Sequence, residues 1–178
     1  MENRSFEINL IAAMSENRCI GKNGTIPFHN AEDMKRFKEI TIGNVVVMGS
    51  NTFKSLPKGK LPNRINIVIT RDEGFISTLK NDKEILIADS VENAIKLYNS
   101  WFYHQKGLKE CKKLFIIGGG MIYDYCIQNG LADRIYLTTI KEVVENGDTF
   151  FPTLDESKWK LVSREETNGA LFDVLEIR

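Results

Sequence analysis

A chain of 178 residues has room for one hydrophobic core and not for a second domain of ordinary size. Its 24 basic and 24 acidic residues cancel, which leaves no general electrostatic pull toward nucleic acid or membrane. Three cysteines without a CxxC (Cys19, Cys111, Cys126) and two distant histidines (His29, His104) favour buried free thiols over a metal site or a disulfide framework.

In chain order, residues 6–14 open with EINLIAAM, a near-continuous apolar run as in a strand buried on both faces. The polar stretch GKNGTIPF at 21–28 reads as a loop feeding an amphipathic helix, AEDMKRFKEI, with Met34, Phe37 and Ile40 at helical spacing. Further strands are predicted at 44–49, 64–70, 84–88, 113–119, 134–140, 159–165 and 170–177, and further helices at 51–56, 90–100 and 120–128. Asn168-Gly169 between the last two strands is a hairpin signal, so an α/β fold with a mostly parallel sheet of about eight strands, an antiparallel C-terminal strand and about four helices is expected. The stretch 99–113 has no clear period. No segment reaches the ~20 apolar residues of a spanning helix, and MENRSFE has no signal-peptide core, so a cytosolic protein is expected.

Two turns could hold phosphate. The strand KLFII runs into Gly118-Gly119-Gly120 and then MIYDYCI, which places bare backbone at a helix start; a tight turn needing glycine explains the same residues. VVVMGSNTF ends a buried strand at Gly49, with Ser50, Asn51 and Thr52 opening the next helix as cap and phosphate ligands. Two such turns in one small sheet point to a dinucleotide, although GxGxxG and GxxxxGK[ST] are both absent. Glu32 and Asp33 stand at a helix start, where acids suit the dipole as solvated residues. Asp33, just before Met34 and four before Phe37, falls at the edge of the apolar face, where a carboxyl would be desolvated and its proton affinity raised.

From Ile8 to Arg178 the chain resembles dihydrofolate reductase, through LIAAM with Cys19-Ile20-Gly21, Ile26-Pro27-Phe28 ahead of Asp33, VVVMGSNTFKSLP, LPNRINIVIT, FIIGGGMIYD, IYLTTI, GDTFFP and FDVLEIR. The resemblance implies reduction of dihydrofolate to tetrahydrofolate with NADPH, in support of one-carbon metabolism, by a protein expected to be a monomer without a metal. It implies that Asp33 holds the pterin through two hydrogen bonds and that Thr138 hydrogen-bonds that acid. Ile11, Ala13, Met34, Phe37, Leu56, Ile117 and Tyr123 fall at pocket positions, and Arg64 at the anchor of the substrate's glutamate tail.

For the cofactor the resemblance points to Ala13, Ile20, Gly49, Ser50, Asn51, Thr52, Thr70, Arg71, Ile117, Gly118, Gly119, Gly120, Met121, Ile122 and Tyr123, and implies a cis Gly118-Gly119 peptide bond. Ser50 departs from the basic residue of many members, while Phe28 and Phe53 replace frequent tryptophans. The loop 21–26 matches a mobile lid. Two other readings use the same residues: a pterin- or riboflavin-pathway reductase of this fold, and a non-catalytic binding protein that retained it.

Overall fold

The computed structural model describes residues 6–104 and 113–178. Its elements begin β1 (Ile8–Ser15), β2 (Cys19–Gly21), α1 (Ala31–Thr41), β3 (Val45–Gly49), α2 (Ser50–Ser55), β4 (Ile65–Ile69), α3 (Glu73–Leu79) and β5 (Ile85–Ala88). They continue with α4 (Val91–His104), β6 (Leu114–Gly118), α5 (Gly120–Gln128), β7 (Arg134–Ile140), β8 (Thr149–Phe150), β9 (Trp159–Glu166) and β10 (Ala170–Ile177).

Eight strands form one sheet in the order β5-β4-β3-β6-β1-β7-β10-β9. The first six are mutually parallel, β10 runs antiparallel to β7, and β9 antiparallel to β10, as expected from the sequence. The strands alternate across the sheet. Leu10, Ala12, Val45, Val47 and Ile116 pack toward Ala94, Tyr98, Tyr123 and Cys126 of α4 and α5. Ile11, Val46, Met48, Val68 and Phe115 pack toward Phe37, Phe53, Phe75 and Leu79 of α1, α2 and α3. A parallel sheet covered on both faces explains why these strands read as continuous apolar runs.

Asn30 caps α1, its side-chain oxygen accepting from the Asp33 N–H at 2.9 Å, and Glu32 and Asp33 complement the dipole in the first turn. Cys19 and Cys126 are buried free thiols, and burial pushes the Cys126 thiol up to about 12. Cys111, with most of the unplaced stretch 99–113, lies outside the described residues, although α4 extends to His104. No helix among the described residues is long and apolar enough to cross a membrane.

Four elements depart from the sequence reading. Helix α3 has a sound cap, Asp72 accepting from the Phe75 N–H at 3.0 Å, but its seven residues include Gly74 and offer too short an apolar period to read. β2 and β8 form a separate pair whose three and two residues, respectively, carry no periodic signal. Helix α2 begins at Ser50, so Gly49 is its N-cap and Ser50 lies in the first turn; no side chain caps the helix.

Candidate active site

Directly paired residues on neighbouring strands share a face, so the register places Ala13 of β1, Thr138 of β7 and Phe172 of β10 in one row beneath α1. Ile11 and Tyr136 form the next row along the same face. Asp33, in the first turn of α1, lies over this surface. Desolvation raises its carboxyl above the usual carboxylate range, opposed by the Thr138 hydroxyl, hydrogen-bonded to it, and by the Arg36 guanidinium. Thr138 is buried at 3% exposure. Tyr123 is also buried; its hydroxyl donates to the Ile11 carbonyl at 2.7 Å, and burial, with Asp33 adding to it, pushes the phenol well above its ordinary range. Glu32 turns away, accepting from the Thr167 hydroxyl at 2.7 Å.

Arg36 was not legible as a member of this cluster. On sequence it is one more cation on a charged helix, and only its place three residues after Asp33 hints at a shared edge. Its guanidinium lies 5.0 Å from the Phe172 ring centroid, and its Nη1 donates to Thr138 Oγ1 at 3.4 Å.

From Asp33 along α1 toward its other end, Phe37, Leu56 and Ile117 are half-buried and Met34 is 54% exposed. At the far end Arg64 donates to Thr41 Oγ1 and to the Pro62 carbonyl, both at 3.0 Å, and its guanidinium stands 6.0 Å from the Phe37 ring. Asp33 and Thr41 are eight residues apart, so the Asp33 carboxyl and the Arg64 guanidinium at Thr41 are separated by roughly 12 Å along the helix axis.

The glycine turns lie side by side because β3 and β6 are neighbours. The Gly118-Gly119 peptide bond is cis. A Cβ on Gly118 would meet Thr52 Oγ1 at 2.9 Å, and Gly118 has a φ of +139° that side chains rarely adopt. A Cβ on Gly49 would meet Ile122 Cδ1 at 3.1 Å, and one on Gly120 would meet Thr149 at 3.0 Å and Ile20 at 3.7 Å. No side chain caps α5 either, although its Ile122 N–H already donates to the Gly119 carbonyl at 3.0 Å. Met121, next in α5, is 89% exposed. At the end of β4, Thr70 is buried, its hydroxyl accepting from the Asp72 N–H at 3.2 Å, and Arg71 Nε donates to the Asp89 carbonyl at 3.0 Å. Asn51 is exposed on α2. The C-terminal ends of β3, β4 and β6 thus share one edge of the sheet, where ligands of open α/β sheets bind.

The loop after β2 is a tight turn. Lys22 and Thr25 exchange backbone hydrogen bonds around Asn23 and Gly24, whose φ angles are 51° and 73°. The Asn23 N–H donates to the Asp148 carboxylate at 2.7 Å, and Lys22 Nζ to the Glu145 carbonyl at 2.7 Å. The loop therefore rests on the segment before β8, and the flanking Ile20 and Thr149 lie beside Gly120. Phe28 packs with Ile140, Ala170 and Phe172, and Phe53 is buried against Phe75 at 5.8 Å between ring centroids.

The family model described as dihydrofolate reductase matches residues 7–174. The chain is 38% identical over 161 residues to the dihydrofolate reductase of Bacillus subtilis, covering 89% of this chain and 83% of that one. It is 36% identical over 157 residues to dihydrofolate reductase type 3 of Salmonella typhimurium, covering 88% and 85%. Against the bifunctional dihydrofolate reductase-thymidylate synthase of Daucus carota the identity is 35% over 164 residues, 86% of this chain and 29% of that larger protein. With its sheet order, its paired glycine turns and this likeness over almost its whole length, the chain belongs to the dihydrofolate reductase family.

Proposed function

We propose that the chain reduces 7,8-dihydrofolate to 5,6,7,8-tetrahydrofolate with NADPH, as a cytosolic monomer serving one-carbon metabolism. The observation that carries this reading is the desolvated Asp33 carboxyl beside Thr138, at one end of α1, with Arg64 at the other. A heterocycle presenting an amide N–H and an amino group would give Asp33 two parallel hydrogen bonds, and a carboxylate matches that fork. Ile11, Ala13, Met34, Phe37, Leu56, Ile117 and Tyr123 would enclose the ring and its linker, and Arg64 would meet the tail carboxylate with a planar, two-pronged donor.

The cradle around Gly49 and Gly118 to Gly120 suits a dinucleotide: side-chain-free backbone, two uncapped helix starts, and Ser50, Asn51, Thr52, Thr70 and Arg71 at the same edge. Ile20, Met121 and Ile122 would flank it. The cofactor, when bound, supplies the hydride. The chain's own share is to fix the ring against it, exclude bulk water beneath the lid, and hold the charge on Asp33 so that the ring's protonated form is favoured. The proton reaches the ring nitrogen through solvent or ring tautomerism, since a carboxylate holding the amide edge does not reach it. Arg71 offers the cation for the 2′-phosphate that Ser50 does not.

Steady-state turnover of dihydrofolate with NADPH, with NADH in parallel, tests the reading. Turnover with a marked NADPH preference is the expected result. A folded protein that binds NADPH without turning over dihydrofolate would favour a related pterin reductase or a binding protein.

A further inference from the structure

Arg36 has no part in the reading above, yet its side chain ends between the two groups on which that reading depends. It leaves α1 one turn after Asp33 and crosses the row of Thr138 and Phe172. A guanidinium only donates, so when its Nη1 bonds Thr138 Oγ1 that oxygen is the acceptor, and the threonine's own hydrogen must find another partner. With Thr138 buried, the Asp33 carboxylate fills that role. The sequence of donors is then Arg36 to Thr138 to Asp33, a chain in which each bond polarises the next.

The surroundings explain why a half-buried cation is tolerated there. The Phe172 ring supports its face, at the distance of a cation–π contact. The charged and titratable groups facing it are Asp33 on α1, Tyr136 on β7, Glu165 on β9 and Asp173 on β10. Asp173 is already held in a fork by Arg164, at 2.6 and 2.7 Å, which leaves Arg36 to face Asp33 and Glu165. Tyr123 on α5 completes the ring of groups around Asp33 and stays neutral.

Resting on the reductase reading, we propose that Arg36 is a positioning residue: it orients the Thr138 hydroxyl toward Asp33 and supplies the cation that keeps that carboxylate ionised against its burial. Arginine is suited to this because its charge persists at every pH of interest. Removal would free the Thr138 hydroxyl to rotate and to accept from a protonated Asp33.

The test compares wild type, Arg36→Met, Arg36→Lys, Thr138→Val and the Thr138→Val/Arg36→Met double variant in two readouts. One is the pH dependence of kcat/KM; the other is titration of the 13C-labelled Asp33 carboxyl by NMR without ligand. Arg36→Met is expected to move both midpoints to higher pH and to lower kcat/KM for dihydrofolate roughly three- to tenfold at neutral pH, as loss of a charge-assisted hydrogen bond would. Arg36→Lys should restore most of the midpoint, since the charge returns, and less of kcat/KM, since the planar donor aimed at Thr138 does not. The two removals should be less than additive in the double variant. A carboxyl midpoint unmoved in Arg36→Met, or strictly additive effects, would overturn the proposal while wild-type turnover still supported the reductase reading. Should the wild type fail to turn over dihydrofolate, that reading falls, and the carboxyl titration still decides the role of Arg36. If Arg36→Met does not fold, Arg36→Gln takes its place with the same expected shift.

Discussion

Asp33 is a carboxylate placed where the fold would prefer a neutral group, and two consequences follow at the scale of that residue. Burial raises its pKa, so the folded chain binds this proton more readily than the unfolded chain. The group therefore opposes folding above its folded pKa and ceases to do so as the pH falls through it. Asp33→Asn is expected to melt a few degrees higher than wild type at neutral pH, with the gap closing in acid, while kcat/KM falls by roughly two to three orders of magnitude through loss of the charged fork. Thermal melts across pH check the first part; a variant less stable than wild type at neutral pH would contradict it. Arg64 is expected to act on binding alone. Arg64→Lys keeps the charge but not the planar fork, so KM for dihydrofolate should rise roughly tenfold with kcat little changed. The desolvation of Asp33 was legible from its place beside Met34 and Phe37. The company of Arg36 was not, because register across β7 and β10 brings Thr138 and Phe172 under the helix, and register is a long-range property.

At the scale of elements, the glycine turn and the loop 21–26 are linked through the β2–β8 pair, whose Ile20 and Thr149 lie beside Gly120. Gly118→Ala would place a Cβ 2.9 Å from Thr52 Oγ1 at a φ few side chains tolerate. The expected loss is about 2–4 kcal/mol of stability together with weakened NADPH binding, read by denaturant melts and cofactor titration. Asp148 holds the loop 21–26 through the Asn23 N–H, and that bond with the Thr149 hydroxyl keeps its carboxyl below the usual range. Loop gating of turnover is expected on this basis. Asp148→Ala should speed NADPH release several-fold and leave the Asp33 titration where it is; unchanged release would remove the lid from the mechanism. Long periodic elements such as β1, α1 and β7 were readable from pattern because burial on both faces or on one helical stripe writes itself into the sequence. α3 was hidden by its brevity and by Gly74, and the β2–β8 pair exists only because distant segments meet.

At the scale of the whole molecule, the sheet separates two tasks along one edge. The C-terminal ends of β3, β4 and β6 carry the glycine turns, and β1 and β7 carry the surface facing Asp33. A ligand that binds only the folded chain stabilises it by mass action, so NADPH at about 100 times its Kd should raise Tm by roughly 5–11 °C. NADH at the same concentration should give a smaller shift, and equal shifts would remove Arg71 as a phosphate contact. The motif order reached the family from sequence because strands, turns and Asp33 recur in a fixed succession; the local placement of charges had to await the fold. The most direct measurement is loss of NADPH absorbance on addition of dihydrofolate, for wild type and Asp33→Asn side by side. Turnover in the wild type that collapses in the equally well folded variant is the expected result; turnover undiminished by the substitution would contradict the assignment of Asp33 as the acid of the site.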